Sequence, residues 1–455
     1  MKKSLILLSI LASATAYAGS IDYLAEQDAE YFAHPSMIGK IGTSAAFYNP
    51  AGTVFMEDGT YFKINSQTVF KNYKMENNYS GVPGATDSIK TGSHESDHPS
   101  ALVPSVQYVS KKGNRSYFIH SGVAAGGGAL KYEGGLTAFE VIGEKIQSNF
   151  IEKGYSSTSI TYLDSPEAVG SSYYINTNFG MAQKLTPKFS VGGAIRFIYA
   201  TRNLDCTANY NFVLDENSSN TQQNLLVQLD AERKAYGVGG VLGFDYKATD
   251  KLNIGFKYES EVELYFKSEK GQSGLKVTPP STISKDGLAD NTICANIKNN
   301  LLKEKVISEW TDKERRNLPA TMSLGLSYEL NDKITLLTSG NYYFIKEANR
   351  DGAYDNYDNG YEISFGIDYK LNEKVVLMAG YQYTDTGANE DTYKDTDFAL
   401  DANLYGVGIQ YSPVENRTYA LTYSYVDYKT ASSSTTGTIF SKNVQAVAIS
   451  AEFKF

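Results

Sequence analysis

From Thr60 to the C-terminus the chain alternates between apolar and polar positions. Tyr361, Ile363, Phe365, Ile367, Tyr369 and Leu371 are apolar or aromatic; Glu362, Ser364, Gly366, Asp368 and Lys370 between them are charged or small. A period of two puts these sets on opposite faces of a strand. The pattern recurs in Ala320, Met322, Leu324, Leu326, Tyr328 and Leu330. It appears again at 252–258, 405–411 and 419–425. One such strand fits a soluble sandwich as well as a membrane barrel, because both give each strand one apolar face.

Connection lengths separate the two. Tight turns are read at Lys112-Gly113-Asn114, Thr186-Pro187-Lys188, Thr249-Asp250-Lys251, Asn331-Asp332-Lys333, Asn372-Glu373-Lys374 and Pro413-Val414-Glu415-Asn416. Between them lie long polar segments at 73–100, 130–168, 214–222, 267–317, 349–358, 386–400 and 430–442. Strict short–long alternation puts tight turns at one end of the sheet and loops at the other, as in outer-membrane barrels. The expected fold is all-β: a closed antiparallel transmembrane β-barrel of about 14 strands.

One stretch breaks the alternation. Residues 44–58 are apolar or small and contain the turn Asn49-Pro50-Ala51-Gly52. Ahead of them, 23–32 predicts a short helix that Pro35 ends. A compact irregular piece before a run of strands predicts a hatch inside the lumen, with Phe47, Tyr48, Asn49, Pro50, Ala51 and Gly52 at its centre. The chain opens on Met1-Lys2-Lys3, a short apolar run and Ala16-Tyr17-Ala18, which reads as a cleaved export signal. The expected division is signal 1–18, hatch 19–59 and barrel 60–455.

Composition agrees with export to a membrane. The chain has 36 Tyr, 21 Phe and 39 Gly against 1 Trp, with a mean hydropathy of −0.34. Barrels need apolar residues only at alternate positions and use aromatics at their interfaces. A net charge of −9, or −11 once Lys2 and Lys3 leave, argues against a nucleic-acid partner. Cys206 and Cys294 are open to pairing, with no ligand cluster around either. His94 and His98 sit in a polar loop rather than a metal site. No catalytic motif, phosphate loop or cofactor fingerprint is present, so neither an enzyme nor a cofactor is expected. An acidic ladder at Glu259, Glu261 and Glu263 reads as a solvated lumen face.

Two loop segments carry one-sided apolar stripes. Phe139, Ile142, Ile146 and Phe150 form one within 137–153, and Leu301, Leu302, Val306 and Trp310 form part of another within 293–310. Each stripe would either pack on the barrel rim or catch a ligand.

The spelling resembles the FadL family of outer-membrane long-chain fatty-acid and hydrophobic-compound transporters. The resemblance rests on Asn49-Pro50-Ala51-Gly52 after a small-residue run, and on 236–246, Thr249-Asp250-Lys251 and 254–262 as the family's central hairpin. It also rests on 318–328 and on 406–411. One position departs: where that hairpin often carries Tyr-Arg-Ser, this chain has Tyr258-Glu259-Ser260. The resemblance implies a 14-stranded barrel with an N-terminal hatch. It implies capture of an amphipathic ligand by the loops, transfer to an inner pocket, and sideways release into membrane lipid through a kinked third strand. The third strand is expected at 116–132, with Gly122, Gly126, Gly127 and Gly128 as the lateral gate. Glu259 bears on whether the ligand is an anion.

The final strand alternates and ends on Phe455, which looks like the signal read by the barrel-assembly machinery. The expected protein is a monomer in the outer membrane of a Gram-negative-type cell. Its expected ligand is a long-chain fatty acid or another hydrophobic small molecule. The alternatives are a surface adhesin working through its long loops and a general porin, which a filled lumen disfavours.

Overall fold

The computed structural model describes residues 28–78, 92–152, 156–216, 219–278, 291–303, 313–350, 355–395, 398–434 and 436–455. The expected signal at 1–18 and residues 23–27 of the expected hatch helix lie outside them. Fourteen strands form the wall. The first seven are β1 (Gly59–Glu76), β2 (Ser100–Lys112), β3 (Arg115–Glu133), β4 (Glu167–Thr186), β5 (Phe189–Glu216), β6 (Ser219–Lys247) and β7 (Leu252–Glu259). The second seven are β8 (Thr321–Glu329), β9 (Ile334–Tyr343), β10 (Gly360–Lys370), β11 (Val375–Asp385), β12 (Ala402–Val414), β13 (Arg417–Tyr428) and β14 (Ile439–Lys454). Each pairs antiparallel with its neighbours in sequence. β14 returns to β1 over an unbroken ladder from Tyr61 opposite Lys454 to Glu76 opposite Ile439. Closure of β14 on β1 removes the two outer edges that an open sheet would present to lipid.

The exposure pattern decides between barrel and sandwich. On β10, Tyr361, Ile363 and Phe365 are 37%, 46% and 56% exposed, while Glu362 and Ser364 are buried. The apolar face therefore points outward and the polar face inward, the reverse of a soluble sandwich. The same inversion holds at Leu324, Val407, Leu421 and Ile449, all exposed.

All six expected tight turns are present, and the third strand falls within a residue of its expected ends. The segment 214–222 differs. β5 and β6 stay paired as one hairpin to Glu216 opposite Ser219. This polar stretch lacks an alternating apolar face and so reads as loop. A hairpin standing clear of lipid needs no such face, because its ladder alone holds it.

The lumen is filled from the tight-turn end. Helix α1 (Ala29–Ala33) starts at Asp28, whose carboxylate accepts from the Glu30 amide at 2.8 Å. It stops at His34, before Pro35. Helix α2 (Ala45–Tyr48) stops at an extended Asn49, and Pro50 then opens a 3₁₀ turn, Pro50–Phe55. At the loop end, helices α3 (Thr137–Glu152) and α4 (Asn291–Lys303) form a cap.

Candidate functional site

The hatch is fixed to the wall by polar bonds that a hydrophobic count does not reveal. Lys63 on β1 is buried, with Nζ 3.0 Å from Asp28, 2.6 Å from Glu30 Oε1 and 2.8 Å from Ser44 Oγ. Lys40 bridges Glu30 Oε2 at 2.7 Å and Asp368 Oδ2 at 3.0 Å. Burial works against an ionised Glu30. Lys40 and Lys63 outweigh it and hold the carboxyl well below its usual range. His34 Nε2 lies 2.8 Å from Asp368 Oδ1. Asn49 donates to Asp245 Oδ2 at 2.7 Å, and Asn253 donates to the Gly39 carbonyl at 2.9 Å. Inward glycines let the hatch backbone lie against the wall. A Cβ at Gly255 would sit 2.1 Å from Ile38 O, and one at Gly406 would sit 2.2 Å from Phe32 O.

Of the expected hatch residues, Tyr48, Asn49, Pro50, Ala51 and Gly52 are buried and Phe47 is half-buried. Phe47 and Tyr48 face an inner cleft together with Tyr31 and Ile38 of the hatch and Leu318, Pro319 and Tyr343 of the wall. The Tyr31 and Tyr48 rings stack 6.0 Å apart. The polar side of the cleft is Arg196, Lys257, Glu259 and Glu362. Glu259 points inward and is shared: Arg196 stands 3.6 Å away, Lys257 3.4 Å, and Thr321 donates to it at 3.1 Å. Lys257 also lies 4.7 Å over the Phe47 ring. The cavity is about 60 Å³, well below the ~300 Å³ of a typical ligand pocket. Side chains or the hatch must shift to admit a ligand.

The acidic ladder does not continue past Glu259. Glu263 lies outside, paired with Arg315 at 3.0 Å and lining a lipid-facing groove with Tyr236, Val238 and Tyr265. The chain leaves regular strand geometry after Glu259, so the parity read from sequence no longer holds there.

The two loop stripes meet. Phe139, Ile142 and Ile146 of α3 and Leu301 of α4 are buried in one apolar cluster with Tyr73, Leu130, Tyr210, Phe398 and Phe440, and Leu302 packs against it. Tyr210 donates to the Phe139 carbonyl at 2.7 Å. Phe150 occupies the last turn of α3, and Val306 and Trp310 lie outside the described residues. Among the described residues neither stripe forms an open groove, because the apolar side chains of both are buried in this cluster. Cys206 and Cys294 belong to the same cluster, and both are free thiols. Asp395 anchors the cap by accepting from the Ala138 amide, at the start of α3, at 2.9 Å. Its burial pushes its carboxyl up to about 7. Burial likewise pulls His94 down to about 4.

The third strand is irregular where expected. β2 and β3 pair from Lys112 opposite Arg115 to Ser105 opposite Gly122, and the ladder between them ends there. Beyond it β3 pairs with β4 only, with register shifts at Val123/Ala125 and Ala125/Gly128. Gly126 and Gly128 take φ of +89° and +67°. A Cβ at Gly128 would sit 2.2 Å from Ser100 Oγ. Gly127 continues the same strand. Lys71 of β1 crosses this seam, donating to the Ala129 carbonyl at 2.7 Å and to Ser100 Oγ at 3.0 Å.

Arg196, Lys257, Glu362 and Tyr31 were not singled out from sequence. The signal for three of them was available: each is a charged residue at an inward parity position between lipid-facing neighbours, such as Ile195 and Phe197 around Arg196.

A closed barrel with an apolar exterior and a lumen filled by its own N-terminal segment defines a plugged membrane transport barrel. The chain belongs to the outer membrane protein transport protein family (OMPP1/FadL/TodX), whose profile matches residues 167–454. It is an outer-membrane protein of a transport family, not of an enzyme family. In structure it is similar to a Pseudomonas aeruginosa FadL homologue, with a TM-score of 0.65 at 14% identity over 96% of this chain and 100% of that one. It is also similar to the Pseudomonas putida toluene transporter TodX, with a TM-score of 0.61 at 15% identity over 96% and 100%. For the Ralstonia pickettii toluene transporter TbuX the TM-score is 0.57 at 15% identity over 95% and 99%. No curated protein sequence matches the chain.

Proposed function

We propose that this protein carries hydrophobic small molecules, long-chain fatty acids or aromatic hydrocarbons among them, from the cell surface into the membrane. The observation that carries the reading is the inner cleft, where hatch aromatics and wall cations meet around Glu259 in an otherwise filled lumen. The ligand enters through the cap, whose apolar cluster opens to it, and the stripes on α3 and α4 then offer it their apolar faces. It passes to the cleft and leaves sideways at the β2–β3 seam, where Gly122 to Gly128 interrupt the ladder. No energy source is involved, and each step is diffusion between sites. The hatch, bonded to the wall from Asp28 to Thr53, fills the lumen and so disfavours a general porin.

Glu259 sets the charge preference. It stands between the two cations that an incoming carboxylate would seek, Arg196 and Lys257, and with Glu362 it gives the cleft as many carboxyl groups as cations. Uncharged hydrophobic ligands therefore bind better than anions. The likeness to two toluene transporters is in keeping with this.

The test is a titration of the purified protein with a fluorescent long-chain fatty acid, competed by an aromatic hydrocarbon and by a sugar. Saturable binding displaced by the hydrocarbon and not by the sugar is expected. Glu259→Gln should tighten the fatty acid roughly tenfold, since a charge-assisted bond is worth ~1.5–3 kcal/mol, and should leave the hydrocarbon unchanged. Absence of saturable binding would refute the transport reading.

A further inference from the structure

The tight-turn end has a charge of its own. Lys112, Lys188, Lys251, Lys333, Lys374 and Arg417 are exposed, one at each of the six tight turns. None of these six makes an ion pair among the described residues. Over 57–58, 111–115, 184–188, 247–251, 329–333, 370–374, 414–417 and 454 there are twelve Lys and Arg against seven Asp and Glu. This surplus of five positive charges occurs in a chain of net charge −9, so the rest of the sequence carries −14. Two of the cations are neutralised locally: Lys111 pairs with Asp58 at 2.6 Å, and Lys454 pairs with Glu57.

Neighbouring residues set the depth of these cations. Tyr117, Tyr246, Tyr328, Tyr411 and Tyr419 stand exposed on the outer wall, each within a few residues of a turn. Such a collar of outward aromatics marks the membrane–water interface. The basic side chains lie just beyond it, at headgroup level, with stems long enough to reach along the wall. The turns are two to four residues long and cannot project beyond that layer.

We propose that this rim binds the phosphates of anionic phospholipids in the periplasmic leaflet, as a ring of headgroups around the barrel. The distribution favours lipid over an acidic protein. Every turn of the circumference carries a cation, whereas a docked protein would need them on one side. Basic side chains near an anionic bilayer are attracted within about one Debye length, ~10 Å at 0.1 M salt.

The full-length protein would be exchanged into mixed micelles with equal parts phosphatidylglycerol and phosphatidylcholine, and the lipids it retains counted by native mass spectrometry. Wild type should retain phosphatidylglycerol over phosphatidylcholine by roughly tenfold, and less at high salt. A variant with the five lysines and Arg417 changed to Gln should lose most of that preference and keep its β-sheet circular dichroism. The loop-end variant Lys267→Gln/Lys346→Gln should keep the preference. If the sixfold variant does not fold, Lys251→Gln/Lys333→Gln and Lys374→Gln/Arg417→Gln should each lower the ratio. Equal retention of both lipids by wild type, or an undiminished preference in the rim variants, would overturn the proposal.

Discussion

The two halves of the wall are built to different standards. Strands β8 to β13 run nine to thirteen residues, and their ladders are unbroken through the wall, with one shift at the β12–β13 turn. Strands β1 to β6 run thirteen to twenty-nine residues. They contain register shifts at Gln67/Val69, Val123/Ala125 and Ala125/Gly128, and one ladder that stops midway. Both halves meet the same bilayer, so the bilayer does not require the irregularity. The regular half satisfies lipid outside and hatch inside and does little else. The irregular half carries the seam, supports much of the cap and supplies Arg196. Departures from ideal strand geometry are concentrated in the half that carries the β2–β3 seam.

That contrast can be broken at several points. The largest effect should follow removal of the hatch, residues 28–58. The lumen would then open and single-channel conductance in a planar bilayer should rise roughly tenfold or more, while the regular half keeps the barrel closed. Next is Lys63→Met. It leaves Asp28 buried without the Lys63 cation and Glu30 with Lys40 alone, a loss of ~3–5 kcal/mol. Faster hydrogen exchange at α1, with unchanged exchange in β8 to β13, would show that the damage stays in the hatch. Gly128→Val should lower uptake of a fluorescent hydrophobic tracer severalfold. It forces a branched side chain into a φ of +67° and against Ser100, a strain of ~1–3 kcal/mol. Gly340→Ala in the regular half, where a Cβ meets nothing closer than 3.7 Å, should change neither uptake nor stability.

The smallest effect is one of pH. The Asp395 carboxyl, ordinarily near 3.8, is raised to about 7 by burial. Between those values the folded cap holds a proton that the unfolded chain has released. Cap stability therefore falls as pH rises through that window and is lowest above about 7. Limited proteolysis of the cap should accelerate from pH 5 to pH 8 more than in Asp395→Asn. Glu30 has the opposite sign. Its lowered carboxyl stabilises the hatch above the ordinary carboxylate range, and that contribution is lost only as pH falls well below it.

The wall was largely legible in the sequence because lipid imposes a strict period of two, and Tyr361 to Leu371 display it without exception. The tight turns were legible because Asn331-Asp332-Lys333 and its relatives carry turn chemistry. The glycines of the third strand were legible as an interruption in an otherwise apolar face. The inner cleft was not. Lys257 precedes Glu259 by two residues on the same inward face of β7, but Arg196 comes from β5 and meets Glu259 only once the sheet has formed, and no local pattern encodes that second meeting. The cap stripes were visible as helices, but amphipathicity does not say what covers the apolar face. Here the described apolar residues of both helices are buried in one cluster with residues of the rim. Parity failed at Glu263 because one stretch of chain left the sheet.

The closure of β1 on β14 also joins distant parts of the chain. Its partners, Tyr61 and Lys454, lie far apart in the sequence. Such distant pairings form late and slowly. The hatch meanwhile binds strands at the far end: Thr422 donates to the Ala29 carbonyl, and Thr43 donates to Glu452. It is bonded to the first and the last strands of the ring alike, so the same segment that fills the lumen also ties the closing strands together. The last strand thus serves two partners at once, completing the wall at β1 and holding the hatch through Glu452.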